Sequence, residues 1–167
     1  MFLRTLQDDD FSEEYKKKYG RSCCLLAENI TEKSLEFIED MPDKHVFDDY
    51  GMAVFHGSPW DNLNEYVYPT NPLGRFIELP YSYILLGHTH YPMDRSIGRV
   101  RVVNPGSCGQ PRDYRDSSYA IVDLKRQKVE FRRVQYNADS LIKDVQRNKE
   151  ENSHLTEVLE RGKIEFE

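Results

Sequence analysis

The chain has 167 residues, 38% of them hydrophobic, and 23 basic against 29 acidic side chains give a formal net charge of −6. That length makes one domain with a modest core, and the acidic balance excludes a basic footprint for nucleic-acid phosphates. Cys23, Cys24 and Cys108 lack the spacing of a secreted disulfide scaffold, and no stretch has the ~18 apolar residues of a membrane span or the core of a signal peptide, so the expected location is cytoplasmic.

Residues 8–19 are polar and helix-permissive, with Gly20 as a stop, and the Asp8-Asp9-Asp10 run reads as a solvated helix start. A second helix is predicted from about Glu32 to Asp40. Thr31 caps it, Leu35 and Ile38 share a face, and Pro42 lies beyond its end. Val46-Phe47 and Met52–Phe55 then read as strands around an Asp48-Asp49-Tyr50-Gly51 turn. Residues 57–74 are rich in Gly, Pro and Asn, a loop long enough to suggest function. Gly74–Leu79 reads as a short helix broken before Pro80.

Tyr83-Ile84-Leu85-Leu86 has the unbroken apolar character of a strand buried on both faces. Arg99–Val103 alternates as a strand and stops at Asn104-Pro105-Gly106-Ser107. Tyr119–Leu124 and Lys128–Tyr136 predict a hairpin across Lys125-Arg126-Gln127. From Ala138 the chain turns helical and highly charged. Leu141, Ile142 and Val145 form one narrow apolar stripe there, and Leu155, Val158 and Leu159 another.

The chemistry concentrates at histidines that end apolar runs: His56 after Ala53-Val54-Phe55, and His88 and His90 after Leu85-Leu86-Gly87. If the extended conformation continues past Leu86, His88 and His90 point to one side. Two neighbouring strands ending in histidines would bring three imidazoles to one mouth, beyond the carboxyl ends of the strands, where open α/β sheets gather their sites. Neutral imidazole nitrogens suit Zn²⁺, Mn²⁺, Fe and Ni. His45 and His154 lie in polar contexts and are not taken as ligands. Cys23-Cys24 has no second pair at zinc spacing.

In order, the chain carries His56-Gly57-Ser58-Pro59, then Gly87-His88-Thr89-His90-x-Pro92, then Asn104-Pro105-Gly106-Ser107, with Pro111-Arg112 after them. This series, over roughly residues 8–136, resembles the C-terminal portion of calcineurin-like metallophosphoesterases, in their small prokaryotic phosphodiesterase branch. The resemblance implies an α/β fold: a metallophosphoesterase-type β-sandwich flanked by helices, incomplete because the opening strands are missing. Residues 1–137 would be the C-terminal part of such a domain and residues 138–167 a charged helical tail.

By the same resemblance, His56 and His88 ligate one metal and His90 the other. Manganese is favoured, with zinc, iron and nickel also suited to such ligands. Asn104 would stand behind the ligands and Arg112 would contact the substrate phosphate. Paired metals ~3.5–4 Å apart hold a hydroxide nucleophile and neutralise phosphoryl charge, the basis of phosphodiester hydrolysis in such sites. No single catalytic side chain is assigned.

The family also uses an Asp-x-His near its first strand, a Gly-Asp whose carboxylate bridges the metals, and a Gly-Asn-His followed by an acid. The expectation is that this chain lacks all three. Neutral imidazoles do not offset the repulsion between neighbouring dications. Asp61, Asp94, Asp113 and Asp116 stand in the right loops but read as turn residues. The function expected is thus a metal-dependent phosphoesterase acting on a phosphoester substrate, active only with an N-terminal half encoded separately or further upstream. The alternative is an inactive relative serving as a metal-binding or protein-interaction module, self-associating through exposed sheet edges.

Overall fold

The computed structural model describes residue 10, residues 13–16, 22–147 and 153–160. Asp10 and residues 13–16 are helical, while the remainder of the helix expected over 8–19, with Asp8 and Asp9, lies outside the described residues. The same holds for the side chains of Cys23, His154 and Leu155. The described residues fall into two compact units, one holding every β-strand, the two 3₁₀ helices and the end of the last α-helix, the other the remaining α-helical residues.

The helical unit contains α1 (Ser22–Asn29), α2 (Glu32–Glu39), α3 (Asp139–Arg147) and the start of α4 (Ser153–Glu160). The second of these forms as its sequence directs. Thr31 sits in extended backbone, and its hydroxyl accepts from the Ser34 amide, satisfying one of the orphan donors at the helix start. Leu35 and Ile38 are its half-buried pair. Sequence patterning gave no expectation for α1, whose Ser-Cys-Cys-Leu-Leu-Ala-Glu-Asn run has no strongly one-sided apolar face.

The strand-bearing unit contains β1 (Lys44–Phe47), β2 (Met52–Phe55), β3 (Tyr83–Leu85), β4 (Pro92–Ile97) and β5 (Val100–Pro105) in one sheet, ordered β1-β2-β3-β5-β4. β6 (Ser117–Asp123) and β7 (Lys128–Val134) form a separate two-stranded antiparallel sheet. Around the central three parallel strands, β2, β3 and β5, the two edge strands run antiparallel. Burial follows that placement. Tyr83 and Ile84 are buried in succession, as are Val102, Val103 and Asn104, because a parallel central strand has both faces covered.

The chain turns from β1 into β2 through a single 3₁₀ turn, Asp48–Tyr50, closed by Gly51 in the left-handed region. The long connection from β2 to β3 is packed rather than loose: Val67, Leu73 and Phe76 from it are buried in the same core as Phe55, Ile84 and Val102. Its later part is a 3₁₀ helix, Gly74–Glu78, where a short helix was expected. β4 was not foreseen. It opens on a proline and carries Asp94-Arg95-Ser96 in its middle, a pattern with little strand signal, tolerated because the strand is at the sheet edge.

The chain is mixed α/β, with two β-sheets and the described helices. Among the described residues no helix is long and apolar enough to cross a membrane.

Candidate metal centre

β2 and β3 are parallel neighbours, with Val54 opposite Leu85, so the chain leaves both at the same end. His56 follows β2 directly, and Gly87-His88 follows β3 after one residue. The Gly87 amide donates to the His56 carbonyl at 2.9 Å. A Cβ at residue 87 would sit 3.3 Å from that carbonyl oxygen, so glycine permits the close approach. The two rings then meet: His56 Nε2 lies 2.9 Å from His88 Nδ1, with centroids 4.7 Å apart at 62°.

The extended backbone assumed for His88 and His90 does not persist. Strand β3 ends at Leu85, and His88 and His90 have φ of 63° and 61°, in the left-handed region. Strand alternation therefore does not set their directions. His88 reaches back to His56, whereas His90 Nδ1 lies 2.9 Å from the Gln110 carbonyl. Only a ring N–H can serve that acceptor, which leaves His90 Nε2 as the basic nitrogen.

Burial, followed by the neighbouring charges of His88 and His90, pushes the His56 pKa below its ordinary value of 6.5. His56 is exposed as a residue, but the protein atoms around its ring still disfavour the imidazolium. Burial likewise lowers the pKa of His88. A hydrogen bond to the Asn64 backbone works in the other direction, and the charge of His90 adds to the lowering. Both shifts favour the neutral imidazole, the form that ligates metals.

The turn Asn104-Pro105-Gly106-Ser107 braces this mouth from behind. Asn104 is fully buried at the end of β5, and its amide donates to the Gly87 carbonyl at 2.6 Å and to Thr89 Oγ1 at 3.1 Å. Its Oδ1 accepts from the Gly106 amide at 3.0 Å. Ser107 Oγ accepts from the Gln110 amide at 2.9 Å, which fixes the residue whose carbonyl holds His90. The Arg112 amide donates to the His90 carbonyl at 3.2 Å, placing Arg112 beside that histidine.

The carboxylates singled out in the sequence have other work, and Asp94 lies within strand β4 rather than in a loop. Asp61 Oδ1 accepts from the amides of Leu63 and Asn64 and from the Asn64 side chain, closing a turn. Asp94 forms a two-point ion pair with Arg101 at 2.7 Å. Asp113 pairs with Arg133. Asp116 is buried and lies 3.7 Å from Arg115.

One tripeptide does have Asp-x-His spacing, contrary to the expectation that none occurs: Asp43-Lys44-His45, entering β1. Its histidine is exposed on the edge strand, opposite Val54, with its ring 4.4 Å from that of Phe47. Among the described residues no three His, Cys, Asp or Glu side chains are grouped to hold a metal. The donor set fits a transition metal in kind, with neutral nitrogens converging, but not in number.

Two features of the loop after His56 escaped sequence reasoning. Ser58, fully buried, donates to Glu65, which also pairs with Arg75; the Arg75 guanidinium lies 3.8 Å over the Trp60 ring. Tyr66 stacks beside His88, their centroids 4.0 Å apart. The sequence held only a weak signal for either: an acid and several aromatics in an otherwise turn-rich loop.

A family model for the calcineurin-like phosphoesterase superfamily domain matches residues 13–127. An uncharacterized protein of Methanocaldococcus jannaschii, MJ0912, is 27% identical over 161 residues, covering 83% of this chain and 64% of that protein. Two crystal structures share the fold at 24% identity. A metallophosphoesterase from Sphaerobacter thermophilus superposes with a TM-score of 0.72 over 82% of this chain and 64% of its own. The hypothetical protein PH1004 from Pyrococcus horikoshii superposes with a TM-score of 0.69 over 82% and 57%. The chain spans less than two thirds of the length of each of these relatives.

Proposed function

This chain belongs to the calcineurin-like phosphoesterase superfamily, and on that premise we propose that it supplies the histidine side of a divalent-metal site for phosphoester hydrolysis. The observation that carries the reading is the meeting of His56 Nε2 and His88 Nδ1 at 2.9 Å, across the ends of two parallel strands. In this structure the two ring nitrogens share a hydrogen bond; with both in the tautomer that frees these nitrogens of their protons, the two lone pairs could be directed at one cation.

His56 and His88 would hold one metal and His90 a second, through the nitrogen that Gln110 leaves unused. Manganese, zinc, iron and nickel all accept such donors. When bound, the metals supply Lewis-acid neutralisation of phosphoryl charge and activation of water. The chain's own residues position the reaction. Asn104 fixes the backbone on both sides of His88, Gln110 fixes the His90 ring, and the Arg112 guanidinium neutralises substrate phosphate.

No group of three donors occurs among the described residues, and the anionic ligands would come from an N-terminal half of the site on a separate or upstream polypeptide. A second reading, a metal-binding or interaction module without catalysis, draws on the absence of a three-donor group among the described residues. Hydrolysis of bis(p-nitrophenyl) phosphate with Mn²⁺ tests both readings. The expected result is no turnover above the metal blank for the chain alone, turnover when a polypeptide bearing the family's acidic segments is supplied, and abolition by His88→Ala. Turnover that survives His88→Ala overturns the site assignment. Silence in both arms, with retained Mn²⁺ binding, favours the second reading.

A further inference from the structure

Beside the histidines runs a row of tyrosines that the hydrolytic reading does not use. Tyr66 lies 4.0 Å from His88, centroid to centroid, and stacks on Tyr68 at 5.8 Å with only 11° between the planes. Tyr91, the residue after His90, closes the row against Tyr68 at 6.0 Å. Tyr66 and Tyr68 remain 50% and 38% exposed, so neither ring has been recruited to fill the core. Aromatic faces left in water are costly unless something covers them at work.

The row is rigidly built. Val67, between the two tyrosines, is 4% exposed and anchors the segment in the core, which turns both neighbouring rings outward. Glu65, on the other side of Tyr66, is tied to Ser58 and Arg75. The Tyr68 amide donates to Asn71 Oδ1 at 2.7 Å, and Arg95 on β4 donates to the carbonyls of Pro69 and Asn71 at 2.8 and 2.6 Å. Rings held in place before a ligand arrives spend little entropy in binding it.

We propose that Tyr66, Tyr68 and Tyr91 form a stacking platform for the nucleobase of a small nucleotide whose phosphate sits at the histidines. This rests on the phosphoester reading and adds the class of substrate. An aromatic platform recognises any base by its π face, each stacked base contributing about 1–3 kcal/mol. The net charge of −6 favours a mononucleotide over a long polyanionic strand.

The test is binding to the metal-free 167-residue chain, followed by the tyrosine ring resonances in NMR spectra, with AMP, ribose 5-phosphate and a 5′-phosphorylated dA hexamer as probes. AMP is expected to shift the Tyr66 and Tyr68 signals and to bind at least about fivefold more tightly than ribose 5-phosphate. The double variant Tyr66→Ala/Tyr68→Ala should lose that preference, and Tyr68→Phe, which keeps the ring, should retain it. Equal affinity for AMP and ribose 5-phosphate overturns the platform, as does a preference that survives the double variant. Tighter binding of the hexamer than of AMP overturns the mononucleotide assignment. The hydrolysis assay is independent of all three probes, so failure of the platform leaves the phosphoesterase reading standing.

Discussion

His88 and His90 are held at positive φ, a backbone conformation that costs of order 1–3 kcal/mol each in a residue with a Cβ. The strain is sustained by Asn104, whose side chain spans Gly87, Thr89 and Gly106. Asn104→Ala leaves the Gly87 carbonyl without this donor in a buried setting. It should lower unfolding stability by about 2–3 kcal/mol, read as a shift in the urea midpoint at constant m-value. The neighbouring imidazoles give a prediction in pH. Their folded pKa values lie below the unfolded value of 6.5, so the unfolded state takes up protons first as the pH falls. Their contribution to stability is complete above about pH 6.5 and declines as the pH drops below it. In metal-free protein the urea midpoint should therefore be lower at about pH 5.5 than at about pH 7.5, by a smaller margin in His56→Gln than in the parent chain. An unchanged margin would show that His56 is not desolvated.

Among the elements, those whose sequence had one clear local meaning were legible. Thr31 with Leu35 and Ile38 specified α2, the apolar run at Tyr83 specified β3, and the turn around Lys125-Arg126-Gln127 specified the β6–β7 hairpin. The bond from Thr31 should make Thr31→Ala cost about 1 kcal/mol, measured by faster amide exchange within α2. Edge strand β4 was illegible because its polar middle is secured by specific side-chain contacts rather than by an apolar pattern: Arg95 donates to the Pro69 and Asn71 carbonyls. Arg101 on β5 grips Asp94 with two hydrogen bonds of 2.7 Å and donates to the Gln127 carbonyl at 2.5 Å. A lysine reaches only one of these points, so Arg101→Lys should destabilise the protein by about 1–2 kcal/mol in urea unfolding. The site shows the same division. That β2 and β3 end in histidines can be read from the chain, but the left-handed turn that sends His88 toward His56 and His90 toward Gln110 depends on Asn104 and Ser107, contributed from beyond β4.

For the whole molecule, the family is settled by a match over residues 13–127, and the fold by superposition on relatives considerably longer than this chain. Within the described residues, Asp61, Asp94, Asp113 and Asp116 each sit in a turn or against an arginine, so the two converging imidazoles stand without a carboxylate grouped to complete a metal site. The proposal that they are nonetheless ligands makes metal affinity the most direct test. The chain has five histidines, and substoichiometric Mn²⁺ broadens the ring signals of whichever residues bind it. The Hε1 signals of His56 and His88 should broaden first, with His45 on edge strand β1 left sharp, and His88→Ala should remove this selectivity. Broadening that begins at His45, or that spreads evenly over all five rings, would contradict the proposal.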